Sequence, residues 1–189
     1  GIGSMEEPGF LREAGIELPM YFDQGMYSWN HLAGAAMERY GADRLTIPVE
    51  LNEREIRDSG VQGEMIVYGY LPMMISAQCI RKTTLGCSGK SEIMWLKDRK
   101  DMRFPVVNQC RFCYNTIYNS APLSLLGLSE QVTGLKPNAV RLNFTVEEPA
   151  AAGEILDAFF EEYGMSEKAA EPPVLRNQFT RGHFKRGVE

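Results

Sequence analysis

Glu64-Met65-Ile66-Val67-Tyr68-Gly69-Tyr70 is the stretch on which the fold turns, and it reads as a strand. Upstream of it, Asn52 is placed to cap a short helix, Glu53 to Ser59, closed by Gly60. Before that helix, Arg44-Leu45-Thr46-Ile47-Pro48-Val49-Glu50 has the composition of another strand. Ser28 is a plausible N-cap for a helix running to Tyr40, with Leu32, Ala35, Ala36 and Met37 as its apolar stripe and Gly41 as its stop. Residues 16 to 21 read as a short buried strand ending at Phe22-Asp23.

Downstream the rhythm breaks. A long excursion over about 71–121 holds every cysteine, with two hairpin strands expected around Met94 to Lys97 and Phe104 to Val107. Pro122 then opens a helix to about Val132, Ala139 to Val146 is a further strand, and Glu148 to Tyr163 is an amphipathic helix ended by Gly164.

Strands alternating with helices in this order argue for an α/β fold with a parallel sheet. About four βα units are too few for a closed barrel of about 250 residues. The expectation is either a small open sheet or half of a TIM-like (β/α) barrel with a long cysteine-bearing insertion, and a scar-like start to the chain favours the half barrel. Residues 1–5 read as a vector-derived scar, 6–165 as the partial barrel and 166–189 as an extended basic tail. In such folds chemistry sits at the carboxyl ends of the strands. Asp23, Asn30, Glu50 and Glu64 are the candidate polar residues of the barrel mouth, each with a plainer reading as a cap, a strand-end hydrogen bond or a surface charge. Two open sheet edges would drive self-association, most simply a homodimer.

The chain has 189 residues, 44% hydrophobic and 24% charged, which suits one sizeable core and excludes disorder, collagen-like repeats and coiled coil. There is neither a membrane-length apolar run nor a secretory signal, so the compartment expected is the cytoplasm. Net charge is −5, unevenly spread. The segment from Cys79 to Cys113 carries +5 and the rest −10, while Val174 to Glu189 is locally basic. Arg81, Lys82, Arg99, Lys100, Arg181, Lys185 and Arg186 are therefore the candidate contacts to a phosphate-bearing ligand.

Cys79, Cys87, Cys110 and Cys113 all fall in that basic segment. Without a secretory signal, four clustered thiols point to a metal rather than to disulfides. The C-x-x-C of Cys110 and Cys113 puts two thiolates on one tight turn. Thiolates suit both zinc and iron–sulfur clusters, and spacing does not choose between them. Neighbouring Arg and Lys would offset the charge of a four-thiolate site.

Val67-Tyr68-Gly69-Tyr70-Leu71-Pro72-Met73-Met74-Ile75-Ser76-Ala77-Gln78-Cys79 resembles the signature region of the collagenase-like peptidase family, peptidase U-32. Leu96 to Lys100, Phe104-Pro105-Val106, Cys110-Arg111-Phe112-Cys113, Asn119-Ser120 and Thr180 to Gly187 extend that resemblance from about residue 10 across nearly the whole chain. The part resembled is the carboxyl-terminal half of a TIM-like catalytic domain, so an amino-terminal half would be missing. The resemblance implies a 4Fe–4S cluster on Cys79, Cys87, Cys110 and Cys113. Many members read His-Gly-Ala-Met/Leu-Cys where this chain has Tyr68-Gly69-Tyr70-Leu71-Pro72. That form is closer to the branch supporting 23S ribosomal RNA cytidine hydroxylation, with related branches acting on transfer RNA or in ubiquinone synthesis.

Three functions follow from these readings. The first is an iron–sulfur protein supporting pyrimidine hydroxylation in ribosomal or transfer RNA, with Tyr68, Tyr70 or Phe112 free to stack on bases. The second is collagenase-like proteolysis, for which His31 and His183 are the only histidines and no hydrolase motif appears. The third is a zinc-stabilised, non-catalytic binding module.

Overall fold

The computed structural model describes residues 1–164 and 178–187, and the remainder of the expected tail lies outside the described residues. In chain order the first elements are α1 (Glu7–Glu13), β1 (Tyr21–Phe22), α2 (His31–Tyr40), β2 (Arg44–Leu45), α3 (Glu53–Ser59) and β3 (Glu64–Gly69). Then come β4 (Pro72–Ser76), α4 (Ile80–Thr84), β5 (Glu92–Lys97), β6 (Arg103–Gln109), β7 (Tyr114–Tyr118) and β8 (Leu123–Ser124). The series ends with α5 (Ser129–Gly134), β9 (Ala139–Asn143) and α6 (Pro149–Glu162). The chain is therefore mixed α/β. It divides into two compact units, one of residues 1–67, 125–142 and 181–189, the other of 68–124 and 143–180.

The first unit keeps the predicted order of strands and helices but not their extents. The buried strand expected over residues 16–21 shrinks to Tyr21–Phe22 with Ile16 and Leu18 exposed, and the one expected over Arg44–Glu50 to Arg44–Leu45, Pro19 and Pro48 having no N–H to extend either ladder. Helix α1 has no counterpart in the sequence reading. Asn52 and Glu55 form a reciprocal capping box at the start of α3, and Gly60 stops it in a left-handed conformation at φ 65°. Helix α2 begins two residues later than predicted. Asn30, not Ser28, is its cap, accepting from the N–H groups of Leu32 and Ala33. Ser28 is buried and its hydroxyl donates to the Thr46 carbonyl at 3.2 Å. Strands β1 and β2 pair in parallel, and isolated parallel bridges join Ile2 to Phe22 and Thr46 to Glu64. Ile2, inside the segment read as a foreign scar, is only 5% exposed and packs with Phe22, Met26, Leu45 and Val61. Each such buried side chain contributes about 1.5–3 kcal/mol. From Met65 onward β3 is buried at every residue.

The second unit departs furthest from the sequence reading. The excursion is not mostly loop: β4, β7, β6 and β5 form a four-stranded antiparallel sheet in that order. The expected hairpin is present, with Met94 opposite Val106 and Leu96 opposite Phe104. Pro105 stands opposite Trp95 in the β5–β6 ladder and just outside the β6–β7 ladder, which begins at Val106. The helix predicted from Pro122 is absent there. Leu123 and Ser124 pair antiparallel with Gly69 and Tyr68, and the Pro122 carbonyl accepts from the Thr180 N–H at 2.9 Å. Leu123 and Ser124 are both buried, and this pairing outweighs the helix-start signal of a proline. Helix α6 matches its prediction and buries Ile155, Ala158 and Phe159.

Residues 178–187, expected to be extended, form a bridge at Thr180 and then turns through 182–186 with Phe184 buried. Among the described residues no helix is long and apolar enough to cross a membrane.

Candidate metal centre

Each cysteine is set by a local device. Cys79 is the N-cap of α4, its sulfur accepting from the Lys82 N–H at 3.4 Å. Cys87 is exposed between Gly86 and Gly89, both with positive φ, which shapes the open bracket between α4 and β5. Cys110 opens a single 3-10 turn after β6, and its N–H donates to the Ser91 hydroxyl at 3.2 Å. Cys113 closes that turn in the left-handed region at φ 55°, its thiol 3.7 Å from the Cys110 carbonyl. All four are free thiols.

The other three thiols all act electrostatically on Cys110. Desolvation pushes its pKa up first; the charge of Cys87, a hydrogen bond with it, and the charges of Cys113 and Cys79 raise it further. Among the described residues no group of three or more His, Cys, Asp or Glu closes to metal-holding geometry. The structure thus supplies three soft donors within electrostatic reach of a fourth, Cys110, rather than a closed shell. That donor chemistry suits either an iron–sulfur cluster or zinc.

The bracket around Cys79 is held by residues that the sequence reading passed over. Asn108 and Asn115 stand directly opposite each other on β6 and β7, and both are buried. The Asn115 amide donates to the Gln78 carbonyl at 2.8 Å and reaches the Ser76 carbonyl at 3.5 Å, fixing the backbone on both sides of Ala77 just ahead of Cys79. The Cys79 thiol in turn lies 3.9 Å from Asn108 Oδ1. An asparagine at an inward position of an otherwise alternating strand is the signal that was available. On the same unit Arg81 pairs with Glu92 at 2.6 Å, and Arg81 with Ser88 holds the Glu92 carboxyl below its ordinary range.

Of the predicted mouth residues, the structure brings two together. Arg141 lies between Asp23 at 2.6 Å and Glu64 at 3.2 Å. These three, with Tyr21, Arg44 and Thr46, line a cavity of about 170 Å³ in the first unit. Asn30 is instead committed to capping α2, and one Glu50 carboxylate oxygen is buried without a partner; neither lines this cavity. Arg141 went unread because its partners are distant in sequence.

The second unit holds a further carboxylate. Glu147 Oε2 accepts from the N–H groups of Thr145 and Val146 at 2.6 and 3.0 Å, while Oε1 is buried without a partner of good geometry. Burial, then the Glu147 charge, raises the hydroxyl pKa of both Tyr68 and Tyr70. Tyr68 is only 4% exposed, so it is not the open stacking surface anticipated; Phe112 is exposed.

The predicted basic contacts divide likewise. Lys82, Arg99, Lys100, Lys185 and Arg186 are exposed. Arg81 is held by Glu92, and Arg181 donates to the Leu126 carbonyl at 2.6 Å. His31 opens α2, and His183 Nδ1 meets the Gly187 carbonyl at 2.8 Å.

Comparisons with protein-family models, with curated proteins and with solved structures found no match to this chain. The class that fold and site define is a mixed α/β protein with four cysteines on an antiparallel sheet unit.

Proposed function

We propose that this chain belongs to an iron–sulfur protein of the peptidase U-32 type that supports pyrimidine hydroxylation in RNA, in the cytoplasm. The observation that carries the reading is that Cys79, Cys87 and Cys113 all act electrostatically on Cys110, within a segment that is basic on an acidic chain. A 4Fe–4S cluster on those four cysteines would supply one-electron transfer. The chain's own residues do the rest: the Lys82 N–H donates to the Cys79 sulfur, Asn115 holds the approach to it, and exposed Lys82, Arg99 and Lys100 offer cations to phosphates.

On the same reading, the parallel β1–β2 pair and the bridge from Thr46 to Glu64 are part of a TIM-like half barrel, completed by an amino-terminal half or by a second copy.

The test is anaerobic purification with a visible spectrum and iron, sulfide and zinc analysis. A broad visible band with equal iron and sulfide, lost in Cys110→Ser, is the outcome expected. Stoichiometric zinc in colourless protein would replace this reading with that of a zinc-stabilised module. Gelatin cleavage by metal-loaded protein, abolished in Cys110→Ala, would replace it with the peptidase.

A further inference from the structure

Strand β5 alternates strictly, with Ile93, Trp95 and Lys97 exposed and Glu92, Met94 and Leu96 half-buried. Residues directly opposite in an antiparallel pair share a face. The register therefore sets Ile93 beside Val107, Trp95 beside Pro105 and Lys97 beside Arg103 on one side of the sheet. The first of these rows continues through Thr116 on β7 to Ile75 on β4, crossing all four strands. Ile75 is 70% exposed, Trp95 54% and Ile93 47%. One face thus carries an apolar row, then an exposed indole, then two cations, at steps of about 6.8 Å along each strand.

We propose that this face is a docking platform for single-stranded RNA, with a base stacked on Trp95 and the flanking phosphates met by Lys97 and Arg103. Charge complementarity selects the partner. The segment from Cys79 to Cys113 carries +5 on a chain whose remainder carries −10, so a polyanion is steered to this sheet and away from the rest. The Lys97–Asp101 pair, at 2.7 Å with both side chains exposed, is weak enough for a phosphate to displace. Arg103 is exposed and forms no ion pair among the described residues. An indole beside two cations is the combination that binds unpaired bases, whose π faces stack without regard to sequence. The choice of RNA among nucleic acids rests on the function proposed above.

The experiment titrates the full chain with a pyrimidine-rich RNA oligonucleotide at several salt concentrations, reading anisotropy of the labelled RNA. Trp95→Ala weakens binding about tenfold or more, and Trp95→Phe, which keeps a ring, restores most of it. Lys97→Gln with Arg103→Gln flattens the logarithmic salt slope by about 1.4, the effect of two phosphate contacts on a single strand. Circular dichroism on each variant separates loss of the platform from loss of fold. Binding unchanged in Trp95→Ala, preference for duplex, no binding of RNA, or stronger binding to anionic lipid vesicles than to RNA would each overturn the proposal. Cluster content is read on the same samples. A cluster-bearing protein whose RNA binding ignores Trp95 defeats the platform and leaves the iron–sulfur reading standing. Colourless protein with Trp95-dependent RNA binding does the reverse.

Discussion

At the scale of single residues, the most consequential are polar groups inside the fold. Asn115 is fully buried, and its amide holds the Gln78 carbonyl while its own Oδ1 lacks a partner. Asn115→Ala therefore costs about 1–3 kcal/mol, because the two carbonyls it serves lose their donor. Urea unfolding checks this, and the same variant should lower metal content more than Asn119→Ala does. Tyr163 gives the opposite sign. Its hydroxyl is buried with no partner, and burial followed by the charge of Glu162 pushes its pKa up to about 12. Since the folded state holds this proton more tightly than the unfolded chain, the contribution is complete below an ordinary tyrosine pKa of about 10. It is lost as pH rises from there toward about 12. Tyr163→Phe should flatten alkaline unfolding in that window and leave neutral stability unchanged or up to about 1 kcal/mol higher.

At the scale of elements, local signals decided the helices and non-local pairing decided the strands. Helices α3 and α6 were legible because a capping box and an amphipathic repeat lie within the segments themselves. The hairpin β5–β6 was legible for the same reason, its partners being joined by one turn. Strands β4 and β7 were not, because Pro72 to Ser76 pairs with residues about forty positions later. Gly69 marks where that non-local fold is tightest. At φ 152° a Cβ would come 2.5 Å from the Asn143 carbonyl oxygen. Gly69→Ala should therefore destabilise by roughly 2 kcal/mol or more, from strain and backbone collision together. A thermal melt of the variant measures it. Asn52→Ala, which removes only the α3 capping box, should cost about 1 kcal/mol.

At the scale of the whole molecule, charge separation along the chain carries the argument. A segment at +5 in a chain of net −5 should make RNA association fall with salt, while the acidic remainder suppresses unspecific polyanion binding. If the parallel pairing of the first unit belongs to a half barrel, light scattering at micromolar concentration should give a dimer or larger; a monomer counts against it.

The sequence by itself determined the four thiols and their basic setting, the Asn52 cap of α3 and the hairpin. Those depend on residue identity and on neighbours a few positions away, where chain connectivity fixes geometry. Only the tertiary structure decided that Arg141 joins Asp23 to Glu64, that Asn115 braces the bracket of Cys79, and that Tyr68 is buried rather than open. It also aligned Ile75, Thr116, Val107 and Ile93 into one row. These arrangements join residues far apart in the chain. Burial and strand register bring them together, and neither is encoded in any short window of sequence.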